Sequence, residues 1–133
     1  MAKTTPISAA QYKADLEAQW TSDLANGTIS WFKDIMRNGS IGWLREAWTL
    51  MPQTGSSDKI FAVERFRLKA LKGQTTQQQA SGIGNVVTHR VGYYTVFRNG
   101  NRTNEWGWAQ FSPIFPDGDL MLLINQAQAD GTI

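Results

Sequence analysis

Two tight-turn signals in the second half of the chain constrain the fold most strongly. Residues 86–98 are rich in valine, threonine and aromatic side chains, which favour strands. Asn99-Gly100 follows at once, and this dipeptide is a strong signal for a two-residue hairpin. Pro116-Asp117-Gly118 marks a second turn. Strands at 86–98, 102–115 and 119–128 are therefore predicted to form an antiparallel meander.

A fourth strand is predicted at residues 60–72, where the composition would also allow a helix. Phe66, Leu68 and Ala70 alternate there with basic residues, and a period of two is typical of a half-buried strand. Arg65 and Arg67 share one strand face because side chains alternate. We interpret this basic row as a solvent-facing surface and predict no nucleic-acid partner.

The first half of the chain carries helix signals. Ser8 and Gln11 form a capping-box pattern. Apolar residues then recur every four positions, which places them on one face of a helix over residues 8–25. These residues are Tyr12, Leu16, Trp20 and Leu24.

A short internal repeat follows this helix. Residues 26–36 and 38–48 share the pattern Asn-Gly-(Thr/Ser)-Ile-x-Trp, then an apolar residue and a basic–acidic pair. A turn followed by a hydroxyl cap is typical of a helix start, so we predict two consecutive short helices. Pro52 would end the second of them.

These elements predict a single α+β domain over residues 1–133. An N-terminal tail covers residues 1–7, a helical part covers 8–52, and the antiparallel sheet covers 60–128. Helices that precede strands are typical of the α+β class. A curved sheet with these N-terminal helices packed across its concave face would form a cone around an internal pocket.

Composition excludes several kinds of site. The chain has no cysteine and one histidine, which excludes disulfides, thiolate catalysis and thiol-ligated metals, so we expect neither metal nor cofactor. No run approaches the roughly 20 apolar residues of a membrane helix, so no membrane partner is expected. The absence of cysteine fits a cytoplasmic protein.

The C-terminal half resembles the nuclear transport factor 2-like superfamily, which includes ketosteroid isomerases and SnoaL-type polyketide cyclases. The resemblance lies in residues 92–100, 106–111 and 116–122, which follow the pattern of the closing strands of that group. It implies a cone-shaped fold with a pocket at the wide end, and a homodimer. None of the family's catalytic motifs aligns residue by residue with this chain.

Three residues are candidates for proton transfer. His89 is a candidate because histidine is the side-chain type whose unperturbed pKa, about 6.5, lies near neutrality, and Tyr93 shares its strand face. Glu64 lies on the same strand face as Phe66, and a buried carboxylate can serve as a general base. The alternatives are an outer-face or dimer-contact histidine and a glutamate that is solvated or paired with arginine.

Aromatic and amide residues are candidates for ligand binding. The chain has six tryptophans, and their rings offer apolar walls with one N–H donor each. Ordinary packing in the core or at a subunit interface is the alternative. The candidates are Tyr12, Trp20, Trp31, Trp106 and Asn125.

The leading functional hypothesis is a small enzyme that acts on an apolar small molecule by general acid–base chemistry. Isomerase, dehydratase, cyclase or epoxide hydrolase reactions would fit, since each needs only proton transfers in a dry pocket. The alternative is a non-catalytic module of the same fold that binds a hydrophobic ligand or a protein. A structural subunit whose sheet forms oligomers is a third possibility.

Overall fold

A computed structural model describes residues 5–34, 39–73, 77–109 and 112–133. Within these ranges the chain is an α+β protein in which helices pack against a strongly curled antiparallel sheet, so the predicted class is confirmed. The elements are, in chain order, α1 (Ala9–Asn26), β1 (Ser30–Asp34), β2 (Gly39–Pro52), β3 (Lys59–Gly73), α2 (Gln77–Ser81), β4 (Val87–Val96), β5 (Trp106–Trp108) and α3 (Asp119–Ala129).

The sheet is a simple meander in the order β1-β2-β3-β4-β5, and each strand is antiparallel to its neighbour. Its curl resembles half of a barrel. Register shifts occur in β2 between Gly42 and Trp43 and again between Arg45 and Ala47. Such bulges bend a strand and increase its twist, which helps the long β2–β3 pair to curl.

Helix α1 covers one face of the sheet. The Ser8 side chain accepts a hydrogen bond from the Gln11 amide at 3.1 Å, and Gly27 ends the helix with a φ of 68°. Trp20 is buried against Ile60 and Ala62 of β3. This helix confirms the N-terminal prediction, and we call the side of the sheet that it covers the α1 face.

Helix α3 covers the opposite face. Leu123 and Ala127 are buried against Phe61 and Val63, whose side chains alternate along β3 with those that contact α1. We call this side the α3 face. The sheet therefore separates two apolar clusters, and the alternation of each strand decides which cluster a side chain joins.

The prediction of two short helices in the internal repeat is wrong. Both units form strands, β1 and β2, so the N-terminal part of the described chain contributes one helix. The two bulges in β2 interrupt the alternation of its side chains, which hides the period of two that marks a strand. Residues 35–38 of the repeat lie outside the described ranges.

The prediction of a last strand at 119–128 is also wrong, because this segment is α3. Its buried residues, Leu123 and Ala127, lie four positions apart, which is a helical spacing. The predicted strand at 102–115 is shortened to Trp106–Trp108 in the described chain, with residues 110–111 outside it. The hairpin loop between β4 and β5 is longer than the two residues predicted, because the Phe97 amide donates a hydrogen bond to the Glu105 carbonyl at 2.9 Å.

Candidate functional site

Glu64 lies at the centre of a buried charge cluster on the α1 face. Its side chain is 0% exposed. Arg45 on β2 donates from Nε to Glu64 Oε1 at 2.8 Å, and Arg90 on β4 donates from Nε to Oε2 at 3.0 Å. Strand pairing produces this arrangement, because Glu64 lies opposite Arg90 in the β3–β4 register. One buried carboxylate thus joins three neighbouring strands.

Aromatic rings enclose the two guanidinium groups. Arg45 lies 4.1 Å above the Trp20 ring, and Arg90 lies 3.7 Å above the Trp108 ring. The Tyr94 hydroxyl donates to Glu64 Oε1 at 3.4 Å. Burial raises the pKa of Tyr94, and the Glu64 carboxylate raises it further, so this hydroxyl stays protonated. Both Glu64 oxygens accept hydrogen bonds from arginine, so the buried carboxylate is held in a fixed position.

The other two candidate proton-transfer residues lie on the α3 face. His89 is exposed, and its Nε2 lies 2.9 Å from the Thr132 carbonyl oxygen near the C-terminus. Tyr93 packs beside Phe61 and Val63. His89 and Tyr93 therefore share a face as predicted, but the sheet separates both of them from Glu64.

The candidate ligand-binding residues divide into three places. Tyr12, Trp20 and Trp106 meet under α1, where Tyr12 stacks on Trp106 at 5.0 Å between ring centroids and the Trp106 indole donates to the Ile7 carbonyl. Trp31 lies on the edge strand β1, 39% exposed, with Lys72 Nζ 4.0 Å from its ring centre. Asn125 is exposed on α3. These five residues do not line a common site.

A groove of about 510 Å³ runs along β4 and β5. Tyr93, Thr95 and Phe97 form its floor, because every second side chain of an extended chain points to the same side. The residues that line it are Tyr93, Thr95, Val96, Phe97, Arg98, Arg102, Trp108 and Ala109. Tyr93 alone among the sequence candidates belongs to it.

Two glycines of the β4–β5 hairpin lie directly under aromatic rings, one on each face of the sheet. The Phe97 ring lies directly over Gly107, where an added Cβ would be 2.5 Å from a ring carbon. The Trp108 ring lies over Gly92 with the same 2.5 Å approach, but on the α1 face, where it packs against Tyr94 and Arg90. Glycine is needed at both positions because any side chain would displace the ring above it. This signal, two glycines that face aromatic residues across a hairpin, is present in the sequence but shows only once the register is known.

Arginine side chains stand at the end of the groove near the hairpin loop. The Arg102 guanidinium lies 4.7 Å above the Phe97 ring and donates from Nε to Glu105 at 3.3 Å. Arg98 donates to Asp58 at 2.5 Å. Both arginine side chains are about three-fifths exposed, at 60% and 61%. Exposed ion pairs contribute little free energy, about 0–1 kcal/mol, so either guanidinium can turn toward a ligand at small cost.

In the described ranges, no group of three or more histidine, cysteine, aspartate or glutamate side chains is placed to hold a metal ion. In the same part of the chain no helix has both the length and the apolar character needed to cross a membrane.

Comparisons with known proteins leave the geometry as the basis for any functional argument. No family model, no curated protein and no solved structure matches this chain.

Proposed function

We propose that this protein binds a flat, apolar small molecule with an acidic substituent in the groove along β4 and β5, without catalysing its conversion. The observation that carries the proposal is the groove itself, a space of about 510 Å³ whose lining includes the rings of Tyr93 and Phe97 and two arginines. Its volume falls within the roughly 300–1,000 Å³ of small-molecule sites. This is the non-catalytic alternative that the sequence left open, with the ligand placed at a defined location.

The lining favours this ligand chemistry for two reasons. The rings of Tyr93 and Phe97 offer apolar surface to a flat molecule, and aromatic rings gain from stacked or edge-on contact. Arg98 and Arg102 offer guanidinium donors at one end, and such donors pair with a carboxylate in a planar, two-point contact. A ligand with rings at one end and an acid at the other matches both features.

Binding is favoured over acid–base catalysis by the placement of the candidate residues. A general base must lie within hydrogen-bond reach of the proton that it removes. Glu64 lies on the α1 face with both oxygens bonded to arginine, while His89 contacts the Thr132 carbonyl and does not line the groove. The enzyme hypothesis, the cone-shaped fold with an internal pocket, the homodimer and the cytoplasmic location remain predictions.

Titration with β-naphthoic acid tests the proposal. This molecule has two fused rings and one carboxylate, and its binding should change the tryptophan fluorescence of the protein, because Trp108 is a lining residue of the groove. Arg102→Gln should weaken binding by about tenfold or more, the worth of a hydrogen bond to a charged group. Phe97→Leu should also weaken it by removing the ring of the groove floor.

Two controls make the titration specific. Lys33→Gln removes the same charge from the exposed edge strand β1 and should leave the affinity unchanged. The methyl ester of β-naphthoic acid should bind more weakly than the acid. An absence of saturable binding, or equal losses in Arg102→Gln and Lys33→Gln, would contradict the proposal.

A further inference from the structure

A second, smaller cavity adjoins the groove on the α3 face. Its volume is about 50 Å³, and Tyr93 lines both spaces. A cavity of this size has room for a small polar group, since one water needs only about 10–15 Å³ of such space. The lining residues are Gln53, Lys59, Phe61, Tyr93, Ser112 and Ile114. The wall is therefore polar on several sides, unlike the aromatic floor of the groove.

The side-chain oxygen of Gln53 is the distinctive group in this cavity. Oε1 of Gln53 is fully buried and has no hydrogen-bond partner among the described residues. The backbone of Gln53 is held in the β2–β3 turn, because its amide donates to the Lys59 carbonyl at 3.1 Å and its carbonyl accepts from the Ser56 amide at 3.2 Å. Buried polar atoms in folded proteins are nearly always paired, and leaving one unpaired costs free energy. The fixed turn thus holds an unpaired acceptor at the cavity.

The positive charge of Lys59 restricts which chemical group can pair with the Gln53 oxygen. Lys59 lines the same cavity, and its Nζ lies 5.8 Å from the centre of the Tyr93 ring. A cationic ammonium group would be repelled by Lys59, and a carboxylate would be repelled by the Gln53 oxygen. A hydroxyl group donates to an acceptor and accepts from a donor, so it fits both neighbours.

The geometry points to a ligand hydroxyl that enters this cavity and donates to Gln53 Oε1, an inference that rests on the proposed groove function. The acid of the same ligand lies at the arginine end. Tyr93 and Phe97 are four residues apart, which corresponds to about 13 Å along a strand at ~3.3 Å per residue. Ligands with an acid at one end, fused rings between and a hydroxyl at the far end are therefore the preferred class.

A matched pair of ligands tests this inference. β-Naphthoic acid is compared with its derivative that carries a hydroxyl on the distal ring, opposite the carboxylate. The wild-type protein should bind the hydroxy acid about fivefold to tenfold more tightly, the worth of one net hydrogen bond. Gln53→Met keeps the length of the side chain and should abolish this preference while leaving the affinity for the parent acid unchanged.

The stability of the unliganded protein provides a second readout. Because Gln53→Met removes a buried oxygen without a partner, its melting temperature should equal or exceed that of the wild type. Gln19→Met, an exposed position on α1, is the matched control and should change neither the preference nor the melting temperature. Gln53→Asn draws the oxygen back by one methylene and should also abolish the preference, which keeps the test open should the methionine variant fail to fold.

The outcomes separate this inference from the proposed function. Equal affinities for the two acids in the wild type, or a preference that survives both Gln53 variants, would overturn the hydroxyl site while leaving the groove in place. A lower melting temperature of Gln53→Met would show that water or protein already satisfies the oxygen, and would also overturn the site. Failure of both acids to bind would overturn the groove and the hydroxyl site together.

Discussion

Replacing Glu64 by glutamine should destabilise the protein strongly, because it removes the one negative charge of a buried cluster. The carboxylate is 0% exposed and receives three guanidinium contacts, at 2.8 and 3.0 Å from the two Nε atoms and at 3.2 Å from Arg90 Nη2. Breaking a buried ion pair costs about 3–5 kcal/mol. Arg90 is 28% exposed and keeps some hydration, whereas Arg45 is only 11% exposed. We therefore expect a loss near the lower end, about 3 kcal/mol.

Urea unfolding followed by tryptophan fluorescence measures this loss directly. A chain of this length is expected to unfold in a single transition, which makes the free energy of unfolding well defined. A loss of about 3 kcal/mol should lower the melting temperature by roughly 10 °C. Glu105→Gln is the matched control, because Glu105 pairs with an arginine that is 61% exposed and should lose less than about 1 kcal/mol. A Glu64→Gln loss no larger than that of the control would refute the reasoning.

Three further predictions concern pH and packing. Burial first, and the Glu64 carboxylate second, raise the pKa of Tyr94 above its ordinary 10.0. The contribution of Tyr94 to the free energy of unfolding should therefore be fully present below pH 10 and decrease as the pH rises further, and urea unfolding of Tyr94→Phe should show a shallower decrease. Hydrogen bonds from Arg67, and then Arg65, lower the pKa of Glu46 below 4.5. The contribution of Glu46 to the free energy of unfolding should therefore be lost as the pH falls below that value, and the stability of Glu46→Gln should decrease less steeply in acid. Gly92→Ala places a Cβ 2.5 Å from the Trp108 ring on the α1 face, and it should cost about 1–3 kcal/mol in urea unfolding.

The parts of the fold with regular patterns could be predicted from the sequence. Helix α1 has a capping residue and apolar positions every four residues, and both signals survive in the structure. Strand β3 alternates between basic and apolar side chains over residues 65–70, and β4 is rich in residues that favour strands. In these segments local preference and tertiary packing favour the same element, so the sequence alone was sufficient.

The segments that were mispredicted are those in which packing overrides a local signal. The repeat units begin with turn and cap residues that also start helices. In the structure they form strands instead, and the two bulges of β2 distribute its side chains over both faces of the sheet. Leu120, Met121 and Leu122 form an apolar run that suggested a strand, yet all three are exposed, and the buried positions are Leu123 and Ala127. An apolar run indicates burial only when a neighbouring element covers it.

The candidate site could be predicted only in part. Tyr93 was identified from its chemistry and its place on a strand, and it lines both the groove and the small cavity. Phe97 and Arg102 belong to the groove because a long hairpin loop folds Arg102 over the Phe97 ring, which no spacing rule reveals. Gln53 lies 40 residues from Tyr93 in the chain, and only the pairing of β3 with β4 brings them together.

An amide-resolved NMR titration with β-naphthoic acid tests the central claim most directly, because it locates the ligand as well as detecting it. The proposed groove predicts saturable shifts concentrated in the amides of Tyr93 to Arg98, Arg102 and Gly107 to Ala109. Shifts concentrated instead around Tyr12, Trp20 and Glu64 would place the ligand on the α1 face and contradict the account. An absence of saturable shifts at any ligand concentration would contradict it as well.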